Sequence, residues 1–373
     1  MATTKPRTAR KNSSKKPTKA VASKKTPALA QKTSPKILVT GGTGFLGSHV
    51  VRELISAGAK NIRVMASNSS APLWMTEAGV ETIEGSITNA MDVARALEDV
   101  VEVYHLAGRV SRDARDARAM YAVHVDGTRL LCEAAAGTHR VKTIVMASTS
   151  GTIAVTKEGD IIPDEEWPPP VNIIARWPYY ASKFYQERAA LEFFSGSGKR
   201  LVILNPSLLL GPSDERLSST KVVLDFLAHK VSAIPRGGLS FVDVRDAARA
   251  FLMAMQQGAH GERYLLGGAN WTFEKFFARL ERLTKTRAPR LKLPPRVAAT
   301  GAQVAHALFR HWNITTSLEP EAIEMADYFW YLDATKARRE LGFVPRDPAE
   351  TLNDTVKYVR ANFLGNDAFR NED

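Results

Sequence analysis

Lys36-Ile37-Leu38-Val39-Thr40-Gly41-Gly42-Thr43-Gly44-Phe45-Leu46-Gly47 is the stretch on which the reading of the fold turns. Residues 36–40 are a short, β-branched, largely apolar run of the kind buried as a parallel strand. Beyond the glycines, Val50, Val51, Leu54 and Ile55 recur at helical spacing. A glycine motif alone is weak evidence; between a strand and a helix it is much stronger. Gly41 lets the chain turn sharply off the strand, Gly44 lets backbone N–H groups approach a pyrophosphate, and Gly47 lets the helix pack close to the sheet. Phosphates there would meet the orphan donors and the positive end of a helix N-terminus. The bland alternative is an ordinary glycine-rich β–α turn.

Composition bounds the rest. The chain has 373 residues, 44% of them apolar, enough for one large α/β domain with a satellite. No apolar run approaches the ~18 to 20 residues of a membrane span, so a soluble, cytoplasmic protein is expected. The single cysteine, Cys132, excludes intramolecular disulfides and suits a reducing compartment. It lies in an Ala/Leu-rich segment and reads as a core thiol rather than a nucleophile. No metal site is expected. Of the net charge of +12, ten cations and no acids fall within residues 1–35, which leaves +2 for the remainder. That Lys/Pro/Ser/Thr/Ala-rich tail lacks apolar periodicity and is expected to be disordered. It suits weak, salt-sensitive contact with an acidic partner, or a targeting role, or no essential role at all.

From residue 36 the pattern alternates strand and helix, which predicts a parallel, doubly wound sheet. Strands are expected at 62–66, 80–84, 101–106, 143–147 and 201–204. Helices are expected at about 114–136 and 180–194, with 151–177 a loop placed to act as a lid. The expected divisions are a tail at 1–35, a dinucleotide-binding domain at 36–206, and a mainly substrate-binding domain at 207–365. The last returns to the main sheet at about 241–266, and 366–373 is a flexible C-terminus.

Three features converge on chemistry. The fifth strand ends in Ser148-Thr149-Ser150-Gly151, hydroxyls at the edge where parallel sheets place their sites. Tyr179 and Lys183 stand at i and i+4 on one helix face. Asn205-Pro206 would close over the nicotinamide side of a bound cofactor. A free phenol has a pKa of about 10. An ammonium one turn away is expected to pull it down, so that Tyr179 exchanges a proton with a substrate oxygen near neutral pH. The lysine also suits a ribose hydroxyl, and a strand-end hydroxyl gives the substrate oxygen a second hydrogen bond.

Taken together with His105-Leu106-Ala107-Gly108, Val125-Asp126-Gly127-Thr128, Gly211-Pro212 and Phe241-Val242-Asp243-Val244-Arg245-Asp246, these motifs resemble the extended short-chain dehydrogenase/reductases, also called the NAD-dependent epimerase/dehydratase family, over about residues 36–365. The resemblance implies a Rossmann-type α/β fold, a doubly wound parallel sheet with a smaller, interleaved C-terminal substrate domain. It implies Tyr179 as general acid/base, Lys183 as its partner and Thr149 as the catalytic hydroxyl, with Ser148 and Ser150 left open. It places Gly41, Thr43, Gly44, Phe45, Leu46 and Gly47 at the phosphates. Ser67, Ser86 and Ile87 fall at the adenosine end, and Leu106, Ala107, Gly108, Lys183, Asn205 and Pro206 along the rest of the cofactor. A homodimer through the helices 114–136 and 180–194 follows from the same resemblance.

Departures from the family pattern narrow the expectation. The second strand runs into Ser67-Asn68-Ser69-Ser70, without the acid that binds ribose hydroxyls, so NADP(H) is preferred, with NAD(H) the alternative. Arg63 is a tempting phosphate partner but sits mid-strand. Ser86 replaces the family's Asp, and His124 replaces its Asn, as a relay or a structural donor. Ser150-Gly151 stand where sugar dehydratases have Asp-Glu, and Leu239 where nucleotide-sugar enzymes have an arginine clamp, unless Arg236 takes that role. These absences favour members similar to dihydroflavonol reductases and 3β-hydroxysteroid dehydrogenases, acting on small apolar ketones or secondary alcohols. Two other readings are a nucleotide-sugar epimerase that retains NAD and a non-catalytic dinucleotide-binding scaffold. Val222, Val223, Leu224, Phe226 and Leu227, then Val297, Val304, Leu308, Phe309 and Trp312, are apolar stripes that read as core or pocket wall. Residues 294–312 also read as a buried or a membrane-touching helix.

Overall fold

The computed structural model describes residues 1–4, 35–67, 71–292 and 324–365. The basic tail beyond residue 4, Asn68–Ser70, the stripe and helix of 294–312 and the C-terminal residues 366–373 lie outside the described residues. The elements named here belong to one compact unit, Ser34–Asp373.

In chain order the strands are β1 Lys36–Thr40, β2 Ile62–Ala66, β3 Glu81–Glu84, β4 Val100–His105, β5 Thr143–Ala147, β6 Arg200–Pro206, β7 Leu208–Leu210, β8 Gly238–Asp243, β9 Arg263–Leu266, β10 Ala269–Thr272 and β11 Phe329–Trp330. Seven of them form a parallel sheet in the order β3-β2-β1-β4-β5-β6-β9. The order reverses between β1 and β4, the switch point at which sheets of this kind place their ligands. β7, β8, β10 and β11 make a smaller second sheet.

Both faces of the large sheet are covered, which is why its strands read as unbroken apolar runs. Side chains alternate between faces with period two. Ile37, Val39, Val145, Val202 and Leu204 pack with the helices Phe45–Ser56 and Val244–Gln257. Leu38, Ile144, Met146, Leu201 and Ile203 pack on the opposite face with the helices Gly127–Ala136 and Pro178–Phe194. Cys132 is buried in this second layer, and burial pushes its thiol up to about 12. A third core joins the small sheet to the helices Lys221–Leu227, Phe273–Thr284 and Pro348–Phe363. Val223, Phe226 and Leu227 are in it, and Val222 and Leu224 pack against it.

Two expectations need correction. The helix expected at 114–136 is a 3₁₀ turn Ala114–Asp116, an α-helical turn Ala117–Tyr121, a π segment Ala122–Asp126 and the helix Gly127–Ala136. The π turn accommodates one extra residue, which the regular apolar spacing on either side conceals. Within 151–177 the chain is more ordered than a plain loop: Thr156 bridges Phe329, and Val171–Ile174 is a short helix.

The glycine turn is locked by close backbone approach. Gly41 has φ +70°, and a Cβ there would lie 2.7 Å from the backbone of Ala107. A Cβ on Gly47 would lie 2.1 Å from the Gly41 carbonyl oxygen, so this glycine admits the helix to the turn itself rather than to the sheet. Gly47→Ala is therefore expected to lower stability by about 1–3 kcal/mol or more, since a carbonyl cannot move aside as a side chain would. Thermal denaturation beside Ser48→Ala, which loses only a bond to the Phe45 carbonyl, measures the difference.

Candidate active site

Gly44 caps the helix Phe45–Ser56 without a side-chain acceptor, so the N–H groups of its first turn stay available. A Cβ on Gly44 would meet only the Gly41 oxygen, at 3.2 Å, leaving the mouth of the turn open. Thr43 and Leu46 flank it, and Phe45 stacks edge-on against His49, whose Nε2 donates to the Pro212 carbonyl at 3.0 Å. This open cradle at the switch point of the sheet fits a pyrophosphate.

At the adenosine end, Ser67 is exposed beyond β2. Arg63 points away from it. Its guanidinium donates to the carbonyls of Arg95, Ala96 and Glu98 and pairs with Glu81 at 2.9 Å, closing the C-terminus of the helix Ala90–Ala96. The Ser86 N–H donates to Asp92 at 2.9 Å, its hydroxyl faces Thr88, and Ile87 packs on Gly127. Arg236 lies toward Asp327, and Leu239 is a core residue.

Leu106 and Ala107 continue β4 past the glycine turn, where the Ala107 N–H donates to Thr40 Oγ1 at 3.2 Å. A Cβ on Gly108 would approach His124 Nε2 to 3.3 Å and Lys183 Nζ to 3.7 Å, so the missing side chain leaves room beside the ammonium. His124 sits in the π segment. Its Nε2 accepts from the Arg109 N–H at 3.1 Å, which leaves Nδ1–H to donate to Ser182 Oγ at 2.8 Å. That geometry is a structural donor's. Burial, with Lys183 nearby, pushes its pKa down to about 2, and His105 likewise to about 3.

The helix Pro178–Phe194 opens with proline at its first position and carries Tyr179 in its first turn. Tyr179 hydrogen-bonds Thr149 and meets His124 edge-on, ring centroids 5.9 Å apart. Of the three candidate hydroxyls, Ser148 donates inward to Glu187, and Ser150 begins a buried 3₁₀ turn. Thr149 is the one that faces the phenol. Asn205 donates to the Thr149 carbonyl at 3.1 Å, while its own Oδ1 is buried without a partner, as is Ser207 Oγ. These orphaned atoms at the sheet edge fit the polar groups of a nicotinamide end.

The expected electrostatics of the pair do not hold in this state. Lys183 Nζ donates to the Ala147 carbonyl and to Gln186 Oε1, both at 2.9 Å. Burial raises the Tyr179 phenol above its ordinary value, the neighbouring Tyr180 adds to this, and only Thr149 acts the other way. Burial pushes Lys183 down to about 8, against the opposing charge of Glu187. Desolvation outweighs the partner in both groups.

Sequence reasoning passed over Glu187, Gln186 and Asp92. The first two lie four and three residues beyond Lys183 on the buried side of its helix, a position where an acid or amide needs partners. It also passed over an aromatic wall in which Tyr180 stacks on Trp330 at 4.8 Å beside Trp177.

Fold and cradle define a dinucleotide-binding enzyme of the Rossmann class. A profile described as the NAD dependent epimerase/dehydratase family matches residues 37–267. The chain is 31% identical to a Synechocystis sp. protein provisionally named as a dihydroflavonol 4-reductase, over 86% of this chain and 94% of that one. It is also 31% identical to sterol demethylase protein B of Methylococcus capsulatus, covering 87% and 98%. Among solved structures it resembles the UDP-glucose 4-epimerase of Thermotoga maritima, with TM-score 0.69, 25% identity and coverage of 87% and 99%. The chain belongs to the NAD dependent epimerase/dehydratase family.

Because His105 and His124 stay neutral when folded and take up protons when unfolded, stability falls as pH drops below about 6.5, by about 1.4 kcal/mol per unit for each group. Denaturant unfolding at pH 6.5 and pH 5 is expected to show His124→Asn losing about 1.5–2 kcal/mol less than the wild type over that interval.

Proposed function

We propose that the chain interconverts a ketone and a secondary alcohol on a largely apolar substrate by hydride transfer, with NADP(H) as the preferred cofactor. The Tyr179 phenol meeting the Thr149 hydroxyl at the C-terminal edge of the sheet, within reach of the cradle, carries this reading. Gly41, Thr43, Gly44, Phe45, Leu46 and Gly47 would hold the pyrophosphate. Ser67, Ser86 and Ile87 would take the adenosine end, and Leu106, Ala107, Gly108, Asn205 and Pro206 the nicotinamide half. When bound, the nicotinamide supplies or accepts the hydride.

In the reductive direction, the Tyr179 proton goes to the oxygen of the carbonyl whose carbon gains the hydride, and Thr149 donates to the same oxygen. A phenol held protonated by burial is the form that reduction requires. The phenolate left behind is then stabilised by Thr149 and by the Lys183 ammonium, which also suits a ribose hydroxyl. The case for an apolar substrate draws on position 151. A Cβ there would fall 2.3 Å from the Tyr180 ring and 3.0 Å from Trp330, so aromatic faces fill the space an acidic side chain would need. The absence of an acid at Ser67, which would repel a 2′-phosphate, supports NADP(H).

A homodimer through the helices Gly127–Ala136 and Pro178–Phe194, an acidic partner for the basic tail and a cytoplasmic setting complete the reading. In support, Tyr185 is exposed beside Tyr121, and no described helix is long and apolar enough to cross a membrane. Similarity to the UDP-glucose 4-epimerase supports a second reading, a nucleotide-sugar epimerase that retains NAD.

NADPH-dependent reduction of a panel of apolar ketones tests the first reading. Tyr179→Phe is expected to lower kcat by about 10²–10⁴-fold. Wild-type turnover in that variant, or tightly bound NAD in the mass spectrum of the purified protein together with activity on nucleotide sugars, would overturn it. Since Lys183 loses its proton as pH rises through about 8, kcat/KM should fall on the alkaline side of that value.

A further inference from the structure

We propose that Glu187 is a positioning residue that holds the Thr149 turn in register with Tyr179 and Lys183. The inference rests on the reading of those three residues given above. A helix advances about 100° per residue, so positions 179, 183 and 187 share one stripe of the helix Pro178–Phe194. Glu187 ends that stripe inside the protein, 3% exposed.

Its Oε1 gathers three donors from separate parts of the chain. Ser148 Oγ reaches it from the end of β5, Thr152 Oγ1 from the following turn at 2.8 Å, and Asn205 Nδ2 from β6 at 2.7 Å. Ser148 and Thr152 bracket Thr149, and the same Asn205 amide donates to the Thr149 carbonyl. One oxygen thus fixes the turn from both sides, while its own helix carries the phenol and the ammonium. Reaction geometry tolerates little slack, since an error of about 1 Å costs on the order of 10²-fold in rate.

The charge has a separate consequence. Around the pair stand Lys183 on the same helix, Arg263 on β9 at 3.8 Å from Glu187 Oε2, and the neutral His105 and His124 on the opposite side. The Glu165 carboxylate is turned to the Leu265 N–H. Burial raises the Glu187 carboxyl, while its three donors and Arg263 act the other way, and in its ionised form it opposes the loss of the Lys183 proton. An amide of the same shape offers those three donors a single neutral, weaker acceptor and removes that opposition.

Glu187→Gln separates these roles from simple filling of the core. Protein is followed by thermal denaturation, by fluorescence titration with NADPH from pH 6 to 9, and by kcat on an apolar ketone. The expected result is a folded variant whose kcat falls about 10-fold or more, and whose NADPH affinity begins to weaken about one pH unit lower than in the wild type. A folded variant with the wild-type pH profile and kcat, whatever its melting temperature, overturns the proposal. If Glu187→Gln does not fold, Ser148→Ala decides: a kcat lowered about 3–10-fold supports the clamp, and an unchanged kcat overturns it. Wild-type protein that binds neither NADPH nor NADH overturns the oxidoreductase reading together with this one. Wild-type protein that binds NADPH but reduces no ketone overturns only the reaction, and the binding profile still decides the role of Glu187.

Discussion

An ammonium and a carboxylate one helical turn apart, in an interior that water does not reach, are the constraint on which the site depends. Neither Lys183 nor Glu187 is kept by Coulomb attraction alone, because desolvation of two ions can exceed their mutual gain. What keeps them is hydrogen bonding drawn from several elements at once. The Ala147 carbonyl and Gln186 satisfy the ammonium, and Ser148, Thr152 and Asn205 satisfy the carboxylate. Removing one member of such a pair typically costs about 3–5 kcal/mol, so the partners on β5 and β6 are as restricted as the ions themselves.

That restriction explains how a parallel sheet delivers chemistry at its edge. β5 ends in the hydroxyl turn and β6 ends in Asn205, and both are tied to the helix that follows the long connection 151–177. Gln186 carries the network onward to Thr128 and His105, and Thr40 joins His105 to the Ala107 N–H beside the glycine turn. A continuous buried polar chain therefore links the ammonium to the mouth of the dinucleotide cradle. Such chains are favourable only when every member is satisfied.

Much of this was legible from the residues in order. The unbroken apolar run Ile37-Leu38-Val39 is what a strand covered on both faces requires, and those residues do divide between the two layers. The glycines announce their own turn because no other residue fits at φ +70° against the Ala107 backbone. The hydroxyl run, Tyr179 and Lys183 were likewise visible, and Arg63, read as mid-strand, turns to the Ala96 carbonyl and Glu81. The π turn was not legible, because one extra residue hardly disturbs an apolar pattern. The electrostatics of Tyr179 were misjudged because spacing along a helix reports neighbours but not depth, and burial proved the larger effect. Glu187 was missed because its partners lie 18 to 39 residues away in sequence. No local pattern encodes that convergence.

Positions 151 and 180 occupy a single volume: the glycine is small because the ring is there. A chain of this kind does not readily accept an acid at position 151, two residues beyond Thr149, since the newcomer would meet an aromatic ring at 2.3 Å. Nor would shrinking Tyr180 first be neutral, for it would take one ring contact from each of Trp330 and Trp177. The two residues must change together, so the route from this architecture to a water-eliminating one crosses a saddle that drift alone seldom passes.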